Sequence, residues 1–179
     1  MIQRFTILLL CVFISGIYLV AQDISKNFPD VIKRVKDINS DSSFEKILLT
    51  NEEFMPQMTD GGGELIGYFK NGEIQKITKS IGLSYGIETF DYYFSRGKLV
   101  FIYETFHGFI ANDSLGTLDL TKTELNFTGH YYFKNQKLID SETTGHNRFE
   151  RDDIDMEKTL LKETQENLLV LNRKKSNVP

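Results

Sequence analysis

One short phrase occurs three times in this chain, and it restricts the fold more than any other feature. The copies are Tyr68-Phe69-Lys70-Asn71-Gly72-Glu73-Ile74, Tyr93-Phe94-Ser95-Arg96-Gly97-Lys98-Leu99 and Tyr132-Phe133-Lys134-Asn135-Gln136-Lys137-Leu138. Each joins an aromatic pair, a turn and a returning aliphatic residue, the pattern of a β-hairpin. Taking Asn71-Gly72, Arg96-Gly97 and Asn135-Gln136 as two-residue loops sets Phe69 opposite Ile74, Phe94 opposite Leu99 and Phe133 opposite Leu138. Asn-Gly suits a loop whose two central residues take positive φ. Gln136 does not, so the third turn is expected to be longer.

Alternation outward from these turns sorts the strands into two faces. One carries Leu65, Phe69, Ile74, Tyr92, Phe94, Leu99, Phe101, Tyr103, Phe127, Tyr131, Phe133 and Leu138. The other carries Tyr68, Ile77, Tyr93, Val100, Ile102, His130, Tyr132 and Ile139 among polar residues. The first face is the expected core, since each large apolar side chain contributes roughly 1.5 to 3 kcal/mol on burial. The phase changes between Ile87 and Phe90, which predicts a bulge or bend within residues 86–89.

The flanks have helical periodicity. Phe28, Ile32, Val35 and Ile38 recur at helical spacing within residues 25–39, and Pro29 falls in the first turn, where no N–H is needed. Residues 44–54 fit a short helix or a strand, and we read them as a helix capped by Ser43. Residues 155–175 present Leu161, Thr164, Leu168 and Leu171 as a stripe, with Asp153 or Asp155 as cap and Arg173, Lys174 and Lys175 at the negative end. The expected fold is α+β: an antiparallel meander sheet of about six strands, with the N- and C-terminal helices packed on one face. Gly61-Gly62-Gly63 lacks the lysine and hydroxyl that a phosphate loop requires, and reads as a flexible link into the first strand. The first two repeated turns begin 25 residues apart and the next two 39, so residues 107–124 hold an insertion. It is either a functional loop or an extra hairpin built on Phe109-Ile110 and Leu118 to Leu120.

The first residues are of a different kind. Arg4 is followed by an almost wholly apolar run that ends at Val20-Ala21-Gln22-Asp23, the pattern of a secretory signal peptide cleaved after Ala21. The run is shorter than the roughly 20 residues of a spanning helix; an uncleaved anchor is the alternative. We therefore expect a signal peptide over 1–21 and a single α+β domain over 22–179, exported to the periplasm or secreted. Cys11 is the only cysteine and lies in the signal, so no disulfide is expected. Loss of Arg4 takes the net charge from −4 to −5, and a mildly acidic chain without a basic stripe argues against nucleic-acid binding.

Four segments carry a resemblance: residues 62–69, 74–77, 92–104 and 131–139. In them the chain resembles small exported proteins of Bacteroidetes-type bacteria that repeat aromatic-turn-Lys-Leu hairpins. The resemblance implies export and an antiparallel sheet with helices, and brings no catalytic residues.

Candidate chemistry is sparse. His107, His130 and His146 have no ligand spacing between them, so no metal or cofactor is expected. Tyr68, Tyr93 and Tyr132 hold the same place in each phrase and project with His130 from the face opposite the phenylalanines. Tyrosine gives rigid contact area with a polar tip, which suits an interface. The expectation is a non-enzymatic binding module of the envelope whose partner, an envelope protein or small ligand, meets these tyrosines or residues 107–124. Membrane contact is expected only through the signal segment before cleavage. The alternatives are a small hydrolase or metal-dependent enzyme using His130 or His146 with nearby carboxylates, and a scaffold or inhibitor. A deep pocket gathering a histidine and two carboxylates would favour the enzyme, and an exposed aromatic patch the module.

Overall fold

The computed structural model describes residues 27–112, 116–146, 148–151 and 153–177. The expected signal peptide, its cleavage point and Cys11 lie outside them. The elements run α1 (Pro29–Ser40), β1 (Glu45–Thr50), α2 (Asn51–Phe54), β2 (Gly63–Lys70), β3 (Glu73–Leu83), β4 (Gly86–Ser95), β5 (Lys98–Asn112), β6 (Thr117–Lys134), β7 (Lys137–Thr144) and α3 (Met156–Ser176). The strands form one sheet in the order of the chain, each antiparallel to the next. The α+β meander is thus what the residues build, with seven strands. Among the described residues, no helix is long and apolar enough to cross a membrane.

The additional strand is β1, in the segment read as a helix. Glu45 to Thr50 pairs with β2 from Phe69 to Glu64, burying Ile47 and Leu49 while Lys46, Leu48 and Thr50 point outward. Helix survives there only as α2, where Thr50 N–H donates to Glu53 Oε2 at 2.9 Å. Ser43 caps nothing and instead donates to the Asp41 carboxylate.

All three repeated turns have two residues, including the one expected to be longer. Asn71 and Gly72, Arg96 and Gly97, and Asn135 and Gln136 all take positive φ, Gln136 at 61°. Phe69 faces Ile74, Phe94 faces Leu99 and Phe133 faces Leu138. One residue further on, every copy carries the same bulge: Tyr68 pairs with Lys76, Tyr93 with Phe101 and Tyr132 with Asp140, leaving Gln75, Val100 and Ile139 as the extra residues. A single extra residue turns the rest of the returning strand over. Ile77 and Ile102 therefore enter the phenylalanine face, both fully buried, and Phe101 and Tyr103 cross to the tyrosine face. The phase change near Gly86 has another cause: Ser84-Tyr85 is a turn between β3 and β4, with Leu83 paired to Gly86.

Because both faces are apolar, both are covered. Leu160 and Leu171 of α3 pack with Leu65, Phe69, Phe94 and Tyr131, whereas Ile38 of α1 packs with Tyr93, Phe101 and Tyr132. The two helices thus lie on opposite faces rather than sharing one. The buried positions of α3 are Leu160, Thr164, Asn167 and Leu171, so Thr164 and Leu171 of the expected stripe face the core while Leu161 and Leu168 flank it, partly buried, and Asp155 caps the helix by accepting from Lys158 N–H at 3.0 Å. Gly67 lets α3 approach, since a Cβ there would stand 3.0 Å from Leu171. Of the two readings of the insertion, the hairpin is what the strands build: Ile110 pairs with Asp119 and Ala111 with Leu118, as a continuation of β5 and β6 past their neighbours into a two-stranded arm on which Ile110, Leu118, Leu120 and Leu125 are exposed.

Candidate functional site

Sequence reasoning presents three tyrosines to solvent, and the structure places them differently. Tyr93 and Tyr132 are 2% and 1% exposed. The cover is α1. Phe28 stacks on Tyr132 with ring centres 4.4 Å apart and planes at 21°. Arg34 donates from Nε to the Phe94 carbonyl at 3.1 Å and from its guanidinium end to Gln75, so the bulged residue of the first hairpin helps to hold the helix. The Tyr93 hydroxyl donates to Asn39 Oδ1 at 3.1 Å, with Asp91 Oδ2 at 3.3 Å, and burial raises its pKa. Lys76 completes this cluster 2.9 Å from Asp91. Tyr68 stays half-buried further out, edge-on to Phe44 and between the ammonium groups of Lys46 and Lys76.

Beside this contact α1 and the sheet part, leaving a cleft of about 390 Å³. Ile32, Val35 and Asn39 form the helix wall, and the floor is aromatic: Tyr93, Phe101, Tyr103 and Tyr132. His130 stacks on Tyr103 at 4.9 Å and 18°, and on Phe101 at 5.9 Å and 15°. Its neighbour across the strand pair, Glu142, lies at the edge of the cleft. The structure thus brings together Tyr93, Tyr132 and His130, leaves Tyr68 outside, and adds Phe101 and Tyr103. The bulge at Val100 puts those two rings here. The four residues around it, Leu99-Val100-Phe101-Ile102, are all apolar and do not mark it in the sequence.

A second polar cluster occupies the opposite face under α3. Glu104 on β5 is 2% exposed. The Tyr131 hydroxyl donates to its Oε2 at 2.9 Å, and Arg148 Nε lies 3.3 Å from its Oε1. Arg148 also forks onto Glu163 of α3 at 2.8 and 2.9 Å. Burial pushes the Glu104 carboxyl up to about 7, against the pull of Arg148 and of the Tyr131 hydrogen bond, and Glu88 beside it is raised by burial as well. Gly129 makes the arrangement possible, because a Cβ there would stand 2.6 Å from the Tyr131 hydroxyl. Sequence reasoning missed this cluster, whose members are far apart in the chain. The other histidines stand apart from the cleft: His146 is exposed, 3.3 Å from Glu150, and His107 is half-buried on β5. Among the described residues, no three His, Cys, Asp or Glu side chains gather as metal ligands would.

No protein-family model matches the chain, and no curated protein or solved structure matches it significantly.

Proposed function

We propose that the protein is an exported binding module whose receiving surface is the cleft beside α1. The cleft carries the reading: about 390 Å³, floored by Tyr93, Phe101, Tyr103 and Tyr132, with Asn39, His130 and Glu142 as its polar groups. An apolar hollow with a few placed polar groups is the usual form of a small-molecule site. It suits a flat apolar group, presented by a small ligand or by a side chain of an envelope partner. Export rests on the signal-like pattern of residues 1–21 and on the resemblance to exported Bacteroidetes-type proteins. The alternative, a hydrolase using His130 or His146, draws less support, because His130 is stacked on two rings and His146 stands in solvent.

An NMR titration with indole tests the reading. Saturable shifts at Val35, Tyr103 and His130 are expected, and Tyr103→Ala should weaken binding about tenfold, or 1.4 kcal/mol, while the chain stays folded. Absence of shifts at these residues in millimolar indole would overturn it.

A further inference from the structure

Beside the Glu104 and Arg148 cluster the sheet holds a separate cavity of about 300 Å³. Tyr85, Phe106 and Phe127 give it aromatic walls, and Glu88, Glu104 and Arg148 supply its inner charges. The signs do not balance. Arg148 is the cation shared by Glu88, Glu104 and Glu163, and its forked end is taken by Glu163. Lys79 adds a weaker pull on Glu88 alone. Toward Glu104, Arg148 offers a buried Nε that makes no hydrogen bond although it lies 3.3 Å from Oε1. Glu104 also faces the hydroxyl of Tyr131 and, nearby, that of Tyr92, which is fully buried beside Asn167. His146 stands at the mouth, facing Glu150.

We propose that this cavity binds a small organic cation, an alkylammonium, with its charged head at Glu104 and Glu88 and its stem against Tyr85, Phe106 and Phe127. Carboxylates short of positive charge favour a cation, and ring faces attract one. The same surroundings already hold the Arg148 guanidinium, which lies 5.0 Å from the centre of Phe90 and 4.6 Å from that of Phe149. An anion would meet two carboxylates, and a neutral ligand would leave the imbalance in place. Because a cation favours the ionised carboxylates, affinity rises with pH as Glu104 loses its proton.

Calorimetric titration of the full chain with n-butylammonium, and with n-butanol as the uncharged isostere, tests the proposal. Butylammonium should bind at about pH 8 and at least about tenfold more weakly at about pH 5.5, where burial keeps Glu104 protonated. Butanol should bind at neither. Glu104→Gln keeps an acceptor for Tyr131 and should lower the affinity at about pH 8 by about tenfold while flattening the pH dependence. Glu88→Gln, at a half-buried position, gives the same reading if the first variant fails to fold. The proposal is overturned if butylammonium gives no heat, if butanol matches it, if affinity is equal at both pH values, or if the folded variants bind like the parent.

Discussion

Glu104→Gln should remove most of the pH dependence of stability between pH 4.5 and 7, and the structure sets both sign and size. In the folded chain the carboxyl keeps its proton up to about pH 7, against an ordinary value of 4.5. Across that interval the folded state holds more protons than the unfolded one, so stability falls as pH rises. The contribution is fully present below pH 4.5 and lost above about 7. At roughly 1.4 kcal/mol per pH unit this amounts to about 3 kcal/mol. Glutamine does not titrate, keeps an oxygen for the Tyr131 hydroxyl, and leaves Arg148 its fork onto Glu163. Urea unfolding at about pH 4.5 and 7.5 separates the two chains. With a slope near 2 kcal/mol per molar, the parent's midpoint should drop by about 1.5 M more than the variant's. Parallel profiles would refute the account, because they would mean that Glu104 ionises alike in both states. Glu88 remains in both proteins but is coupled to Glu104, so its own upward shift is relieved in the variant and widens the difference in the same direction.

Gln136→Gly should stabilise the third hairpin by about 1 kcal/mol, because Gln136 holds a φ of 61° that glycine takes without strain. A melting temperature about 2 to 4 °C higher by calorimetry is expected, and a fall would contradict it. Gly129→Ala places a methyl 2.6 Å from the Tyr131 hydroxyl. It should cost about 2 kcal/mol and raise the Glu104 pKa further, as measured by carboxyl-carbon NMR. Phe28→Ala removes the stack on Tyr132 and should cost about 2 kcal/mol. Amide exchange should accelerate in α1 and stay unchanged in α3; equal acceleration in both would show that the two faces do not respond separately.

The turns were legible in the sequence because turn chemistry is local: Asn71-Gly72 and Arg96-Gly97 carry their own backbone preference, and the facing pairs follow from them. The bulges were not read, although Ile74 and Ile77 stand three apart. In Leu99-Val100-Phe101-Ile102 every residue is apolar, so alternation says nothing about which side each takes. That one residue decided the composition of both faces, and with it the side to which α1 docks. Strand β1 was missed because six residues with two buried aliphatics fit either period, and the open edge of β2 makes the choice. The cleft was half visible: the place of Tyr93, Tyr132 and His130 came from the repeat, whereas their cover depends on a helix more than fifty residues before Tyr93 in the chain. Glu104 and Arg148 carried no local signal, since only pairing and the return of α3 bring them together.

The repeated turn and bulge also bear on how the chain acquires its structure. Every strand pairs with the one before it, so no strand must wait for a distant partner, and sheets built from neighbouring hairpins close smaller loops than Greek-key arrangements do. Three positive-φ turns of the same length, each followed by the same extra residue, are three equivalent places for zipping to begin. Weakening one should move the start to another and leave the folding rate nearly unchanged, while unfolding quickens. The phrase thereby gives the chain redundancy in its kinetics.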